Sequence, residues 1–326
     1  MRPALSFRRS IRAVSTGLTI ATAITVAVVA APAQRLASDG PTFRGHVDLV
    51  NIGVTVGGKK RQFVTDLSAN DFAVYEDGKP QQIVAFASGA EPGPPLHVGV
   101  LLDVSGSQEF DLPFTQTAVI KFLSAIPDAV DMTFIDFGST VRSARYTQED
   151  FPRLVDRVRR LRTDGYTALY DAIGLYLDEA AEQDGRKVMV LYTDGGDTAS
   201  RLSLNKLMKW LKASDVTVYA IGALENQPQS VQFMQGALLS EIAEATGGTA
   251  FLTERVKDLD KIYEQVLGEV RAQYTLGYVS TNENTDGKWR KVKIQVTRPD
   301  AKGLRVRARK GYFAPSPTPT PTPFKP

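Results

Sequence analysis

The segment "VGVLLDVSGSQEF", residues 98–110, joins an apolar run to a short polar loop. The apolar run stops at Asp103, and Ser105, Gly106 and Ser107 follow at once. A short run that is apolar on both faces predicts a buried strand of a parallel sheet. Because ligands of such sheets bind at the carboxyl ends of the strands, the carboxylate and the two hydroxyls stand where a binding site is expected.

Around this segment, apolar runs alternate with helical patterns. Runs such as "VMVLY" and "VTVYAIG" are apolar on both faces, as strands are when helices cover both sides of a sheet. The pattern predicts an α/β domain over residues 96–271, with a doubly wound, mostly parallel, Rossmann-like sheet. Its predicted strands are residues 96–102, 131–137, 188–192, 216–221 and 249–252. Its predicted helices lie near residues 112–124, 151–161, 168–182, 204–213, 234–245 and 259–271.

Segments with β character flank this domain on both sides. Residues 40–92 alternate short apolar runs with turns, and an Asp-Gly pair between "FAVYE" and "QQIVAFA" indicates a hairpin. In residues 272–314, runs such as "VKIQV" alternate apolar and polar positions. Either segment alone would leave open sheet edges, so we predict that the two build one small all-β module. Residues 315–326 are a Pro/Thr repeat, which is typical of a disordered tail.

The first 33 residues have the pattern of a signal peptide. A basic start precedes an uncharged stretch over residues 13–31, and Ala31-Pro32-Ala33 is similar to a signal peptidase site. We therefore expect an extracytoplasmic protein, either periplasmic or secreted. The uncharged stretch is long enough to fit an uncleaved membrane anchor as well, and that alternative stays open.

The composition excludes several classes of site. The chain has no cysteine, which excludes disulfides, thiolate metal ligands and thiol nucleophiles, and its two histidines are too few for most histidine-based catalytic sites. The leader holds four of the 39 Lys and Arg and none of the 36 acids, so 35 basic and 36 acidic residues remain after it. The mature charge is therefore near −1, and nothing favours a nucleic-acid partner.

Two more segments carry oxygen donors. Thr167 stands in "TDGYTALYDAI", just before a predicted helix, and Asp194 follows the predicted strand in "VLYTDGGD". With Asp103, Ser105 and Ser107, they form a set of oxygen donors with few charges, which suits Mg²⁺ first and Mn²⁺ or Ca²⁺ next. The set cannot supply the roughly six oxygens of an octahedral Mg²⁺ shell, so water and an outside ligand must complete it.

These residues resemble the metal-ion-dependent adhesion site (MIDAS) of von Willebrand factor A (VWA) domains, whose D-x-S-x-S, Thr and Asp pattern they match. The resemblance covers roughly residues 96–271. The flanking runs "VTDLSANDFAVYEDGKPQQIVAF" and "GKWRKVKIQVTRPDAKGLRVRARKGY" are similar to exported VWFA-related proteins first recognised in Acidobacteria. One departure is Gln108, where many members carry Met, but this position lies outside the metal set.

The resemblance implies roles for the set. Ser105, Ser107 and Thr167 would coordinate the metal through their hydroxyls, while Asp103 and Asp194 would act directly or through water. The carboxylate of a partner protein or peptide would take the open position. The implied function is that of an exported, metal-dependent adhesion or interaction module, which is not an enzyme.

Two other functions stay open at this point. One is a divalent-metal hydrolase or phosphotransferase, although Ser105 stands where a D-x-D-x-T phosphatase has its second acid and no Lys or His is placed as a general acid or base. The other is a structural scaffold with an incidental metal. Asp171 and Asp197 are either outer partners of the metal or acids that favour nearby helix starts, and the second interpretation is simpler. The Arg-rich run "RLVDRVRRLR" is best explained as a solvated helix face.

Overall fold

The computed structural model describes residues 49–58, 62–89, 93–126, 128–224, 227–253 and 255–316 of the chain. The predicted leader, the start of the 40–92 segment and residues 317–326 lie outside this part. None of the helices in the described ranges has the length and apolar character needed to cross a membrane.

Fourteen strands and six α-helices make up the described structure. The strands are β1 (Leu49–Gly57), β2 (Phe72–Glu76), β3 (Lys79–Gln81), β4 (Ile83–Ala87), β5 (Leu96–Asp103), β6 (Ala129–Phe137), β7 (Val141–Thr147), β8 (Arg186–Thr193), β9 (Thr217–Ala223), β10 (Ala250–Thr253), β11 (Tyr274–Val279), β12 (Trp289–Val296), β13 (Arg305–Ala308) and β14 (Gly311–Phe313). The helices are α1 (Leu112–Ser124), α2 (Phe151–Arg160), α3 (Leu169–Ala181), α4 (Leu204–Ala213), α5 (Gln229–Ala245) and α6 (Leu259–Ala272).

The central sheet has six strands in the order β10-β9-β8-β5-β6-β7. All neighbouring pairs are parallel except β6 and β7, which are antiparallel. All eight residues of β5 are buried, because helices cover both faces of the sheet. Val100 and Leu102 face a core that includes α1, α2 and α6, whereas Leu101 faces a core that includes α3, α4 and α5. The doubly wound, mostly parallel α/β fold is therefore confirmed.

Strand β7 was not predicted from the sequence. Its residues, "VRSARYT", show neither an apolar run nor a clean alternation, and only Tyr146 in it is buried. As an edge strand it hydrogen-bonds to β6 alone, so it needs no apolar residues on both faces.

Two four-stranded antiparallel sheets combine the segments that flank the central domain. Their orders are β13-β1-β11-β4 and β14-β12-β2-β3. In the first, β1 pairs with β11 and β13; in the second, β2 pairs with β12. Residues of both sheets, among them Val54, Phe72 and Tyr274, share one hydrophobic core. The predicted all-β module from N- and C-terminal segments is confirmed, and it consists of two sheets.

A buried carboxylate also links the two segments. Glu76, at the end of β2, is 2% exposed and accepts hydrogen bonds from the Tyr278 hydroxyl at 2.9 Å and the Tyr312 hydroxyl at 2.8 Å. Its second oxygen accepts one from Ser280 Oγ at 2.7 Å. Burial and the neighbouring Glu76 raise the pKa of both tyrosines, so both hydroxyls stay protonated and donate.

Candidate metal centre

Two adjacent strands bring the predicted carboxylates together. Asp103 is the last residue of β5, and Asp194 directly follows β8. The two strands are parallel neighbours, with Leu102 paired to Tyr192. Their carboxyl ends therefore meet at one edge of the sheet, as expected for parallel strands.

The loop that carries Thr167 is fastened to the loop after β5. The Gly106 amide donates to the Gly165 carbonyl at 2.9 Å, and the Asp164 amide donates to the Val104 carbonyl at 2.6 Å. A Cβ on Gly106 would lie 3.3 Å from that Gly165 oxygen, so the glycine between the two serines lets the two loops approach closely.

Three of the predicted ligands form a chain of hydrogen bonds. The Ser105 and Ser107 hydroxyl oxygens lie 3.1 Å apart, and Ser107 Oγ donates to Asp194 Oδ2 at 2.7 Å. The other oxygen of Asp194 accepts from the Gly196 amide at 3.2 Å. Serine hydroxyls and a carboxylate from two separate loops thus converge on one small volume.

Asp103 stands behind this chain and is fully buried. Its Oδ1 accepts from the Ser105 amide at 2.9 Å, and its Oδ2 accepts from Thr193 Oγ1 at 2.6 Å. Burial raises the pKa of Asp103 to about 6; the bonds from Ser105 and Thr193 oppose this rise, and the nearby Asp194 adds to it. Because both oxygens already accept hydrogen bonds from the protein, this carboxylate is suited to hold a metal-bound water and the Ser105 loop.

Thr167 reaches the same edge through its backbone contacts. It is 7% exposed, its amide donates to Thr198 Oγ1 at 2.9 Å, and its carbonyl accepts from the Thr198 and Ala199 amides at 2.8 and 3.0 Å. These bonds clamp the Thr167 loop to the loop that follows Asp194. All five predicted residues therefore belong to three loops that are hydrogen-bonded to one another.

The donor set fits a hard divalent cation. Oxygens that share an octahedral Mg²⁺ shell lie about 2.1 Å from the ion, so neighbours in that shell are about 3.0 Å apart. The spacings of 3.1 Å between the serine oxygens and 2.7 Å from Ser107 to Asp194 are close to this value. Within the described ranges there is no group of three or more His, Cys, Asp or Glu side chains able to hold a metal ion, so this set differs from such groups in relying on hydroxyls.

Two residues at this edge were missed by the sequence reasoning. Thr193 donates to Asp103 and accepts from the Gly195 amide at 3.0 Å, and Gln227 Nε2 donates to Asp194 Oδ2 at 3.3 Å. The only sequence signal for Thr193 is its position directly before Asp194, because a threonine in a strand is otherwise ordinary. Gln227 lies in the polar loop after β9. The only indication of its role in the sequence is that this loop follows a strand of the sheet and so emerges near the other strand ends.

The two acids considered as outer partners of the metal have local roles. The Asp171 carboxylate accepts from the Arg201 amide at 3.0 Å and the Leu202 amide at 2.8 Å. Asp197 Oδ1 accepts from Ser200 Oγ at 2.6 Å and the Tyr170 amide at 3.2 Å. Both acids thus connect α3 with the loop after β8, and only the bond from the Tyr170 amide to Asp197 lies at a helix start.

The Arg-rich run is only partly a solvated face. Arg157 on α2 donates to the buried Asp136 carboxylate through Nε at 3.0 Å and Nη2 at 2.5 Å, and Arg142 Nε donates to the same group at 2.6 Å. Arg153, Arg159 and Arg160 are exposed. One arginine of the run therefore pairs with a buried charge, and the prediction of a solvated face holds for its neighbours.

Comparison with known proteins places the central domain in a family. The family model of the von Willebrand factor type A domain matches residues 97–265. No protein of curated function matches the chain.

Solved structures with a similar fold include three proteins. A von Willebrand factor type A protein from Catenulispora acidiphila has 13% identity and a TM-score of 0.48, with 76% of this chain and 74% of that chain covered. The PilB minor pilin from Streptococcus sanguinis has 14% identity and a TM-score of 0.43, with 56% and 62% covered. Proximal thread matrix protein 1 from the mussel byssus, with a zinc-occupied MIDAS motif, has 19% identity and a TM-score of 0.43, with 59% and 49% covered. The chain thus spans less than two thirds of the pilin and of the byssus protein.

Proposed function

Because the chain belongs to the von Willebrand factor type A domain family, we propose that it is a metal-dependent protein-binding module. Domains of this family are commonly interaction modules with a MIDAS. The observation that carries the proposal is the hydrogen-bonded chain of Ser105, Ser107 and Asp194 at the carboxyl ends of β5 and β8. Because such a set carries few negative charges, it would leave part of the charge of a divalent cation unneutralised, and that charge would attract a further anion.

We assign the five residues as follows. Ser105, Ser107 and Thr167 supply hydroxyl oxygens to the ion, Asp194 supplies a carboxylate oxygen directly or through water, and Asp103 acts through water because its oxygens are held by Ser105 and Thr193. Mg²⁺ is the proposed ion, with Mn²⁺ or Ca²⁺ as substitutes. These residues would hold the ion, which would supply a positive charge for a carboxylate of a partner protein or peptide to bind.

Binding without catalysis agrees with the surroundings of the site. His97, the histidine within the described ranges, lies near the start of β5, at the end of the strand opposite to Asp103. Its ring contacts the Asp131 carboxylate at 3.1 Å and the Asp184 carbonyl at 2.9 Å, which explains it as a structural residue. It is therefore out of reach as a general acid or base for chemistry at Asp103.

Calorimetry with Mg²⁺ and Mn²⁺ tests the metal site directly. We expect Asp194→Ala to weaken binding by at least about tenfold, because it removes a proposed ligand. Asp156→Ala on α2, an exposed acid outside the three loops, is the matched control and should bind as wild type does. Circular dichroism should be unchanged in both variants, because the sheet and helices have their own core. Equal affinity of wild type and Asp194→Ala would refute this assignment of the site.

We further propose that the module acts outside the cytoplasm. Support comes from the sequence of residues 1–33, whose basic start, uncharged stretch and A-x-A end favour export. N-terminal sequencing of exported material should begin near Gln34. The full leader in washed membranes would favour an anchor instead, and the intact chain in the cytosol would contradict export.

A further inference from the structure

Five large apolar side chains are exposed on segments that neighbour the candidate metal centre. We call them the apolar rim: Phe110, Phe114, Tyr166, Phe233 and Met234, which are 84%, 64%, 70%, 79% and 66% exposed. Burying a side chain of this size contributes roughly 1.5–3 kcal/mol relative to leaving it in water. A cluster of such side chains on a folded surface marks an interaction site more often than scattered single residues do.

The rim residues lie on the same segments as the proposed ligands. Phe110 and Phe114 follow Ser107 in the turn and first helical turn that lead into α1. Tyr166 directly precedes Thr167, and its amide is fixed by the Ser139 hydroxyl at 2.9 Å. The loop geometry that positions the oxygen donors therefore also positions these three rings.

The other two rim residues lie next to Asp194. Phe233 and Met234 are on α5, two positions and one position before Gln235, whose Cβ would be 2.8 Å from a Cβ on Gly195. Gly195 in turn follows Asp194. The rim thus draws on α5, on the segment after β5 and on the loop between α2 and α3, each of which also carries or contacts a residue next to the proposed ligands.

Exposed apolar residues elsewhere in the described ranges have a different character. Trp289 and Phe313 pack against each other with ring centroids 5.0 Å apart, so each covers part of its neighbour. The remaining ones are aliphatic: Leu49 and Val279 are paired across β1 and β11, and Val84, Val130 and Leu252 lie on β4, β6 and β10. In the part of the chain that the structure describes, the exposed aromatic rings without an aromatic partner are those of the rim.

We propose that the partner presents its carboxylate from a segment whose flanking side chains are apolar. This inference rests on the proposed function, since the carboxylate fills the open metal position while its apolar neighbours cover the rim. Charge complementarity favours one central acid over an acidic stretch. The exposed Glu109 directly precedes Phe110, and further acids on the partner would meet this like charge instead of a cation.

Two synthetic peptides of equal length and charge test the inference on the full chain. One carries a central Glu flanked by Phe and Leu, and the other carries the same Glu flanked by Ser and Gly. With Mg²⁺ present, we expect the first to bind about tenfold tighter, as burial of one to two apolar side chains predicts. Chelation of Mg²⁺ should abolish binding of both.

Rim variants locate the effect. Phe110→Ser and Phe233→Ser should each remove several-fold of the advantage of the apolar peptide, while Mg²⁺ affinity measured by calorimetry stays unchanged. Val130→Ser is the matched control, because Val130 is 52% exposed at the start of β6, at the opposite edge of the sheet. This variant should bind both peptides as wild type does.

Different outcomes separate this inference from the proposed function. Equal Mg²⁺-dependent affinity for the two peptides would overturn the role of the rim and leave the carboxylate site intact. Binding of the apolar peptide, or of phosphatidylcholine vesicles, that persists in chelator would overturn the joint recognition and assign the rim to apolar contacts alone. Mg²⁺-dependent self-association in sedimentation would make a second copy the occupant. Mg²⁺ binding without affinity for either peptide would overturn the carboxylate proposal together with the rim.

Discussion

Asp103 combines complete burial with two hydrogen bonds from the protein, from the Ser105 amide and the Thr193 hydroxyl. Those two bonds do not offset the loss of water around the carboxylate, so its pKa stands at about 6, above the ordinary value of 3.8. In the metal-free protein, the folded state therefore retains this proton to higher pH than the unfolded state does. The protonated Asp103 carboxyl therefore stabilises the folded state fully below pH 4, and this stabilisation is lost as the pH rises through about 6.

We predict that Asp103→Asn stabilises the metal-free protein at pH 7. The shift from 3.8 to about 6 corresponds to an upper value of about 3 kcal/mol in the free energy of unfolding. The gain should shrink towards zero at pH 4, where the wild-type carboxyl is protonated in the folded state. Thermal unfolding in chelator at pH 4, 5.5 and 7 measures the difference.

The variant Asp156→Asn is the control for this comparison. Asp156 is exposed on α2, so removal of its charge should have little effect on the free energy of unfolding at any of the three pH values. If wild type and Asp103→Asn differed by the same amount at pH 4 and pH 7, ionisation of Asp103 would not be the cause. With Mg²⁺ added, the order should reverse if the ion is bound in the folded state, because ligand binding stabilises only the protein that has the site.

The part of the candidate site whose oxygen donors lie at strand ends was predictable from the sequence. Asp103 and Asp194 stand directly after apolar runs, and a parallel sheet brings such positions to one edge. Thr193 and Gln227 were not predictable, because their roles depend on side-chain contacts made only in the folded structure. The exposure of the rim residue Tyr166 was likewise not predictable, because the residues next to an aromatic residue in the sequence do not show whether its ring is exposed.

At the scale of elements, the turn between β8 and the following loop depends on Gly195. Its φ is +84°, a conformation that side chains rarely adopt, and an added Cβ would lie 2.8 Å from Gln235 Cβ on α5. A substitution here would therefore strain the backbone and push on α5. Asp194 directly precedes this glycine, so the disturbance would reach the proposed metal ligand.

We predict that Gly195→Ala lowers the free energy of unfolding by about 2–3 kcal/mol and weakens Mg²⁺ binding. Gly303→Ala separates the two causes, because Gly303 has a φ of +91° with no atom within 4 Å of the added Cβ. That variant should lose only about 1 kcal/mol, the cost of the backbone conformation, and should keep its Mg²⁺ affinity. Equal losses of stability in the two variants would show that contact with α5 is unimportant.

The elements themselves were largely predictable because most of them are buried on a regular pattern. The parallel strands and the helices of the central domain lie within a few residues of their predicted positions; the main difference is α5, which begins at Gln229 instead of near residue 234. The first turns of α5 are polar or exposed, with "QSVQF" lacking the apolar spacing of a core-facing helix. Strand β7 was not predicted for a related reason. It is a strand because it hydrogen-bonds to β6, and its composition does not indicate this.

At the scale of the whole molecule, Glu76 is the acceptor that holds together strands far apart in the chain. Glu76→Ala would leave the hydroxyls of Tyr278, Tyr312 and Ser280 without this acceptor. We predict a loss of about 2–4 kcal/mol in the free energy of unfolding, measured by urea denaturation. Tyr312→Phe removes one donor and leaves Glu76 with two others, so it should cost only about 1 kcal/mol.

Hydrogen exchange gives the Glu76 prediction a second readout. In Glu76→Ala, amides of β2 and β12 should exchange faster, whereas those of β5 and β8 should keep their protection, because the central sheet has its own two cores. Uniform loss of protection across both regions would mean that the β module and the central domain unfold as one unit. A loss no larger than that of Tyr312→Phe would show that the three hydroxyls find other partners.

The pairing of β1 with β11 and β13 also fixes an order of events during synthesis of the chain. Strands β1 to β4 leave the ribosome first, and β2 can pair with β3 at once, but the partners of β1 and β4 and the second partner of β2 emerge only after the whole central domain. Bringing the ends of an unstructured connection of about 180 residues together has a length-dependent cost of roughly 5 kcal/mol. In the folded protein Gly89 lies against Arg271, so the ends of the central domain are already neighbours. A central domain that folds first removes most of this cost, and β1 and β4 wait without their sheet partners until the last strands arrive.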